Sequence, residues 1–284
     1  MLARRLPTIL PELNFEEALE ITKIYSVAGE LKKDIGLINT RPFRSPHHSI
    51  TKTSIIGGGR IPKPGEISLA HFGVLFLDEL TEFNRETLEL LREPMEDKKI
   101  TISRINATLE YPCSFMLIAS MNPCPCGYYG TMENKCTCSE FTIKKYLSKI
   151  SGPLLDRIDI HVEVKPVKYQ KLQEENKIET SEQIRKRVNR ARRIQQERYS
   201  NLKIFSNSEL TPKLVNKYCK LGSKQKEILE KAFERLNLSA RAYIKILKTA
   251  RTIADLEEKE NIEEKHLAEA IGYRSLDRKY RKEV

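Results

Sequence analysis

Apolar residues come in short runs through the first half of the chain and at helical spacing through the second. Val74–Leu77 is four apolar residues in succession, which reads as a strand buried on both faces. Phe115–Ala119 reads as another short apolar strand. Ile100–Arg104 and Thr108–Tyr111 alternate as a hairpin does, with Ile105-Asn-Ala107 at its tip. Leu155 to Val164 reads as one more turn and strand. Asn14 is placed to cap a helix from Phe15 to Tyr25, which carries Glu16 and Glu17 in its first turn. Met1–Leu6 reads as the tail of a helix broken between Pro7 and Pro11. Residues 40–72 read as loop-rich, and Asn84 to Glu96 as one helix with Leu88, Leu91 and Met95 on one face. Beyond Pro166 the period is helical: Ile184, Val188 and Ala191, then Ile228, Ala232, Phe233 and Leu236, then Ala242, Ile246 and Leu247 through Ile253 and Leu256. The expectation is an α/β portion over residues 1–167 followed by an all-helical portion over 168–284. The polar stretch Lys168–Ser181 marks the boundary, and no internal repeat is visible.

Composition narrows the classes. A chain of 284 residues can bury a full core, and no apolar run approaches the roughly 20 residues that span a bilayer. Lysine and arginine number 50 against 39 acids, a net charge of +11 that suits a polyanionic partner such as nucleic acid. Six cysteines, four of them clustered, point to metal binding in a cytoplasmic setting rather than to disulfides.

The chemistry begins where the first buried strand ends. Asp78 and Glu79 follow Leu77, and ligands of open α/β sheets sit at the carboxyl ends of strands. This is the layout of a Walker B segment: Asp78 would hold Mg²⁺ on a nucleotide, and Glu79 would polarise the attacking water. An ordinary strand running into a capped helix produces the same six letters. Asn122, after the next apolar strand, is placed to orient that water. Arg157, in Leu154-Leu-Asp-Arg-Ile-Asp159, and Arg241, in Leu238-Ser-Ala-Arg-Ala242, are candidates to stabilise charge on a transferring phosphoryl group. Cys124-Pro-Cys126 and Cys136-Thr-Cys138 place four thiols within fifteen residues, a set that suits tetrahedral Zn²⁺. Free thiols or a redox pair are the alternatives. Cys113 and Cys219 are isolated and read as packed, and His47 and His48 as site-lining residues without an assigned role.

Several longer stretches carry a resemblance. They are Arg41-Pro-Phe-Arg-Ser-Pro-His-His-Ser49, Gly57-Gly-Gly59, Pro64-Gly-Glu-Ile-Ser-Leu-Ala-His71, Gly73–Leu80, Met121-Asn-Pro-Cys-Pro-Cys-Gly127, Ser151-Gly-Pro-Leu-Leu-Asp-Arg-Ile-Asp159 and Ala250-Arg-Thr-Ile-Ala-Asp255. Together they resemble the ComM/YifB family, a branch of the magnesium-chelatase-like AAA+ ATPases, over nearly the whole chain. The resemblance implies a P-loop AAA+ core with a helical lid, ATP and Mg²⁺ as cofactors, and assembly into a ring, expected to be a homo-hexamer. It implies Asn122 as sensor 1, Arg157 as an arginine finger and Arg241 as sensor 2. It also implies ATP-driven DNA branch migration in recombination and natural transformation. A magnesium-chelatase subunit or a non-catalytic DNA-binding fragment are the alternatives.

The chain departs from that pattern at its start. In the family, Met-Leu-Ala-Arg-Arg-Leu-Pro follows the Gly-x-x-x-x-Gly-Lys-Thr phosphate loop directly, and here it is Met1 to Pro7. No Gly-Lys-Ser/Thr occurs among the 284 residues, and the Lon-like N-terminal domain of the family has no counterpart. The expectation is a C-terminal portion that cannot hydrolyse ATP alone. DNA contact is expected at two insertions of the kind that face the channel in related ring motors: Thr51–Gly65, with Lys52, Arg60 and Lys63, and the hairpin Lys98–Tyr111, with Lys99 and Arg104. The basic helix over Ser181 to Lys203 reads either as a second such surface or as a solvated face.

Overall fold

A computed structural model of the chain describes residues 3–104, 107–130, 135–164, 179–202 and 204–274. Seven strands are present among them: β1 (Phe43–Arg44), β2 (Gly57–Gly58), β3 (Lys63–Pro64), β4 (Val74–Leu77), β5 (Lys99–Arg104), β6 (Ala107–Pro112) and β7 (Met116–Ala119). The chain divides into two compact units at Arg157/Ile158. Most of the expected boundary stretch, residues 168–178, lies outside the described residues.

The first unit is built on a parallel sheet of order β1-β4-β7. β4 is central. Val74 pairs with Phe43 on one side and Met116 on the other, and the register runs on to Leu77 opposite Ala119. Val74, Leu75 and Leu77 are fully buried, as a strand covered on both faces requires. Leu75 and Leu77 join Leu88, Leu91, Ile100, Ile102 and Leu154 in one core. Full burial of each large aliphatic side chain contributes about 1.5–3 kcal/mol. Gly73 permits the close approach of β1, since a Cβ there would lie 2.1 Å from the Pro42 carbonyl oxygen. Arg41 ties the entry to β1 down: its guanidinium donates to the carbonyls of Pro11, Glu12 and Phe72 and pairs with Glu17.

Asn14 caps the first helix as expected, with a full capping box to Glu17, and the helix runs on to Ala28 before Gly29 ends it in the left-handed region. Other expectations need correction. Pro7 does not break the first segment, because a 3₁₀ helix spans Ala3–Thr8 and accepts the fixed φ of proline. The helix expected over 84–96 is two, Arg85–Glu89 and Arg92–Asp97. Pro94 has no N–H to give the Leu90 carbonyl, so the ladder breaks there. Residues 40–72 hold two short helices, Lys52–Ile56 and Glu66–Leu69. The hairpin β5–β6 pairs Arg104 with Ala107, so its tip is two residues, 105–106, which lie outside the described ones.

The second unit is helical: Ser181–Arg198, Pro212–Tyr218, Ser223–Leu236, Ala240–Leu256 and Glu264–Gly272, with Val215, Leu229, Ile246, Leu247 and Leu267 in its core. The strand expected up to Val164 does not form. Residues 158–164 have no regular structure, and Ile160, Val162 and Val164 are 49%, 64% and 79% exposed. Alternation supplies a strand's pattern, but a strand also needs a partner for its ladder. No helix among the described residues is long and apolar enough to cross a membrane.

Candidate functional site

The carboxyl ends of the three parallel strands bring their following residues to one edge of the sheet. β4 delivers Asp78 and Glu79, β7 delivers Ser120 and then Asn122, and β1 leads into His47 and His48. Asp78 and Glu79 are exposed, so neither carries the desolvation cost that burial would impose. Asn122 is exposed two residues beyond Ser120.

Ser120 is the residue that joins the two strand ends. Its N–H donates to the Leu77 carbonyl at 3.0 Å, and its own carbonyl accepts from Leu80 N at 2.8 Å. Its hydroxyl donates to Asp78 Oδ1, and the Glu79 N–H lies 3.2 Å from that oxygen and 3.4 Å from the hydroxyl. Glu79 is turned by a left-handed backbone, φ 52°, a conformation that costs a non-glycine residue free energy. Its carboxylate lies 3.9 Å from His48 Nδ1, and the His47 and His48 rings are 4.0 Å apart. The sequence reading placed both histidines near a site without a role. The structure gives His48 a neighbour, the carboxylate expected to activate water.

Arg157 is 9% exposed and held within its own unit. Its Nε donates to the Arg92 carbonyl at 3.1 Å, Nη1 to the Pro153 carbonyl at 2.8 Å, and Nη2 pairs with Glu96 at 2.8 Å. A finger reaching another subunit has to exchange these partners. Arg241 is exposed in the first turn of Ala240–Leu256, which Ser239 caps.

The four clustered cysteines converge. Cys124 Sγ lies 3.3 Å from Cys126 Sγ and 3.7 Å from Cys136 Sγ, and Cys126 and Cys136 are 3.6 Å apart. All four sulfurs, with Cys138, fall within 4.8 Å of one another. Zn–S bonds of about 2.3 Å define a tetrahedron with edges of about 3.8 Å, so this donor set fits the ion. The backbone N–H of Tyr128, followed by the Cys124 thiol, draws the Cys126 thiol down to about 6. Cys136 has a hydrogen bond from the Cys138 backbone that favours the thiolate, but desolvation and its sulfur neighbours push it up to about 12. Negative charge therefore does not spread over four adjacent sulfurs unless a cation neutralises it. Cys113 and Cys219 are buried outside this cluster, and burial pushes their thiols up to about 12 and about 11.

The two basic insertions form one structure. Tyr111 Oη donates to the Pro62 carbonyl at 3.0 Å, and a Cβ on Gly57 would lie 2.9 Å from the Ile102 side chain. Gly57 also has φ 109° and stands against the Lys63 carbonyl, so no other residue fits there. Among the basic residues expected to meet DNA, Lys52 pairs with Glu86, Lys99 pairs with Glu110, and Lys63 Nζ donates to the Ala28 carbonyl. Arg60 is exposed. Arg104 lies at the end of β5, and its side chain is outside the described residues.

Comparison with known proteins follows the same division of the chain. Residues 1–172 match the family model "Magnesium chelatase, subunit ChlI", and residues 178–274 match "Magnesium chelatase, subunit ChlI C-terminal". The chain is 46% identical over 281 residues to the competence protein ComM of Haemophilus influenzae, covering 98% of this chain and 53% of that protein. It is 47% identical over 281 residues to YifB of Salmonella typhimurium, covering 98% and 54%, and 45% identical over 282 residues to YifB of Escherichia coli, with the same coverage. The chain thus spans about half the length of the curated relatives it matches. With an α/β unit carrying a parallel sheet, a helical region after it, and both family models matched in order, the chain belongs to the magnesium chelatase ChlI family, alongside ComM and YifB.

Proposed function

We propose that this chain is the motor and lid portion of a ring-forming, ATP-dependent DNA-remodelling protein, a homo-hexamer when complete. The observation that carries the reading is the convergence of Asp78, Glu79, Ser120 and Asn122 at the carboxyl edge of a parallel sheet. Mg²⁺ bound with ATP supplies charge neutralisation at the phosphates. Asp78, exposed and oriented by Ser120, is the carboxylate that holds such a dication. Glu79 takes the proton of the attacking water, and Asn122 orients that water. Arg157 and Arg241 supply positive charge at the transferring phosphoryl group, Arg157 after release from Glu96. Because no Gly-Lys-Ser/Thr occurs in these residues, the phosphate cradle lies outside them and the chain by itself does not turn over ATP.

DNA as the partner is supported by the net charge of +11, by the union of the two insertions, and by the name competence protein carried by one relative. The cysteine cluster holds Zn²⁺ as a structural ion, in keeping with four protein ligands and no open position.

ATP turnover by the chain joined to a phosphate-binding loop ahead of Met1, with and without branched DNA, tests this reading. Stimulation by DNA is the expected result, with Glu79→Gln lowering turnover by about a hundredfold or more while ATP still binds. Normal turnover in Glu79→Gln overturns the role of Glu79. Turnover indifferent to DNA moves the substrate question to proteins or to metal chelation.

A further inference from the structure

The role proposed for Asn122 needs support that its own contacts do not give. It is exposed, and neither its backbone nor its side chain is hydrogen-bonded to any of the described residues. A group that orients one water has to be held within about 0.5 Å, which requires neighbours that fix it. On the upstream side Ser120 is bonded through its backbone to Leu77 and Leu80, and Met121 packs against the core of the sheet. On the downstream side stands Cys124, fully buried, with only Pro123 between. Proline fixes its own φ and confines the residue before it to extended backbone. The place of Cys124 therefore sets the direction in which Asn122 leaves the sheet.

Cys124 is in turn the point on which its loop closes. The Gly127 N–H donates to its carbonyl at 3.0 Å, and the Tyr129 N–H to its Sγ at 3.4 Å. Cys136, twelve residues on, brings its Sγ to 3.7 Å from Cys124 Sγ and 3.6 Å from Cys126 Sγ. The entry of the loop, Cys124 and Cys126, thus meets its exit, Cys136 and Cys138. The exit runs straight into Ser139, which caps the helix Glu140–Leu147, and Ile143, Tyr146 and Leu147 of that helix are buried. Burial, with the charges of Glu82, Cys124 and Glu79, pushes the Tyr146 phenol up, so the ring lies within electrostatic reach of the cysteine loop and of the strand end alike. Just past this helix, Lys149 lies 3.9 Å from Glu82, in the 3₁₀ turn Leu80–Glu82 that follows Glu79. Both arms of the loop are tied to the edge where Asp78, Glu79 and Asn122 converge.

We infer that the four-cysteine centre is the downstream brace of Asn122, so that binding of a thiophilic divalent cation such as Zn²⁺ fixes the orientation of this side chain. The inference rests on the role proposed above for Asn122 in orienting water. An ion that served the loop alone could be held anywhere along it. Here the first sulfur belongs to a residue two positions from the asparagine, and that cysteine is the buried one of the four. When the cation leaves, the two arms lose the bonds that join them. Asn122 then keeps only its upstream hold, while Asp78 keeps its bond from Ser120. Loss of metal should therefore slow the chemical step and leave nucleotide binding intact.

Selective ¹⁵N-asparagine labelling of the whole chain tests the brace without turnover. The Asn122 signal, assigned from its loss in Asn122→Ala, should give a backbone order parameter of about 0.85 with Zn²⁺ bound and below about 0.6 after chelation. Asn84, which caps Arg85–Glu89, is the control and should not change. In the chain joined to a phosphate-binding loop ahead of Met1, chelation or Cys138→Ser should lower kcat by about tenfold to a hundredfold, with KM for ATP changed by less than about twofold. Cys138→Ser leaves three sulfurs and so weakens the site without removing it. Asn122→Ala should lower kcat as much, and chelation should add nothing further to it. An Asn122 signal equally rigid without Zn²⁺ overturns the inference, as do additive losses from chelation and Asn122→Ala, or a purified chain that binds no Zn²⁺. Normal turnover in Asn122→Ala overturns instead the role proposed for Asn122, and the asparagine signal then decides the brace by itself.

Discussion

The hydroxyl of Ser120, at the end of one strand, donates to Oδ1 of Asp78 at the end of its neighbour, and the same residue clamps the backbone on both sides of Glu79. On the proposed function this is a positioning contact, which fixes the carboxylate and leaves its other oxygen to a cation. On the proposed reading, Ser120→Ala lowers ATP turnover by on the order of ten- to a hundredfold with ATP affinity little changed. The fold loses about 1 kcal/mol, the worth of one exposed hydrogen bond. Steady-state turnover beside nucleotide-binding titration separates the two effects, and unchanged turnover would show that Asp78 needs no orientation.

The cysteine centre predicts one Zn²⁺ per chain, measured by elemental analysis after purification without added metal. Cys124→Ser removes the buried sulfur of the cluster and lowers Zn²⁺ affinity by at least about tenfold. Because the loop has little core of its own, metal removal by a chelator should also lower the melting temperature. A chain that purifies metal-free and fully stable would favour free thiols instead.

His71 makes the first unit sensitive to acid. Its ring is buried, Nδ1 accepts from the Ser114 N–H at 2.9 Å, and Nε2 therefore carries the proton shared with Glu20 at 3.0 Å. Burial outweighs Glu20 and holds the ring below its ordinary 6.5, so the folded state favours the neutral form. Stability from this group is full above the unfolded value and is lost as pH falls through the folded one. Thermal melts between about pH 7.5 and about pH 5 should show that decline. His71→Asn, which keeps an acceptor but does not titrate there, should remove part of it. An unchanged pH profile would count against His71 as the cause.

Asp255 is the keystone of the helical unit. It is fully buried and accepts from Arg198 at 2.9 and 2.5 Å, Gln195 at 3.2 Å, Asn207 at 2.8 Å and Arg251 at 3.1 Å. Asp255→Ala leaves buried guanidinium groups unpaired and should cost about 3–5 kcal/mol in urea denaturation. A loss below about 1 kcal/mol would show that water replaces the carboxylate.

Much of the candidate site was legible because its signals are local. Four apolar residues followed by Asp78 and Glu79 identify a buried strand and its end, and four cysteines within fifteen residues point to the cluster whose sulfurs converge in the structure. Ser120 was missed, although its place at the end of an apolar strand, two residues before Asn122, was the available signal. The split at Pro94 was likewise readable, since a proline inside an apolar period interrupts the hydrogen-bond ladder.

What the sequence determined by itself was the capping of the first helix at Asn14, the strand end at Asp78 and the cysteine spacing, all set by neighbours along the chain. Only the tertiary structure decided which charges remain available. Lys52 and Lys99, expected to meet DNA, are paired with Glu86 and Glu110. It also decided that His48 faces Glu79 and that Arg157 is buried against Glu96. The physical reason is the range of the interaction. Burial period and capping act over a few residues, whereas ion pairing and strand-end convergence join groups tens of residues apart, which only packing brings together.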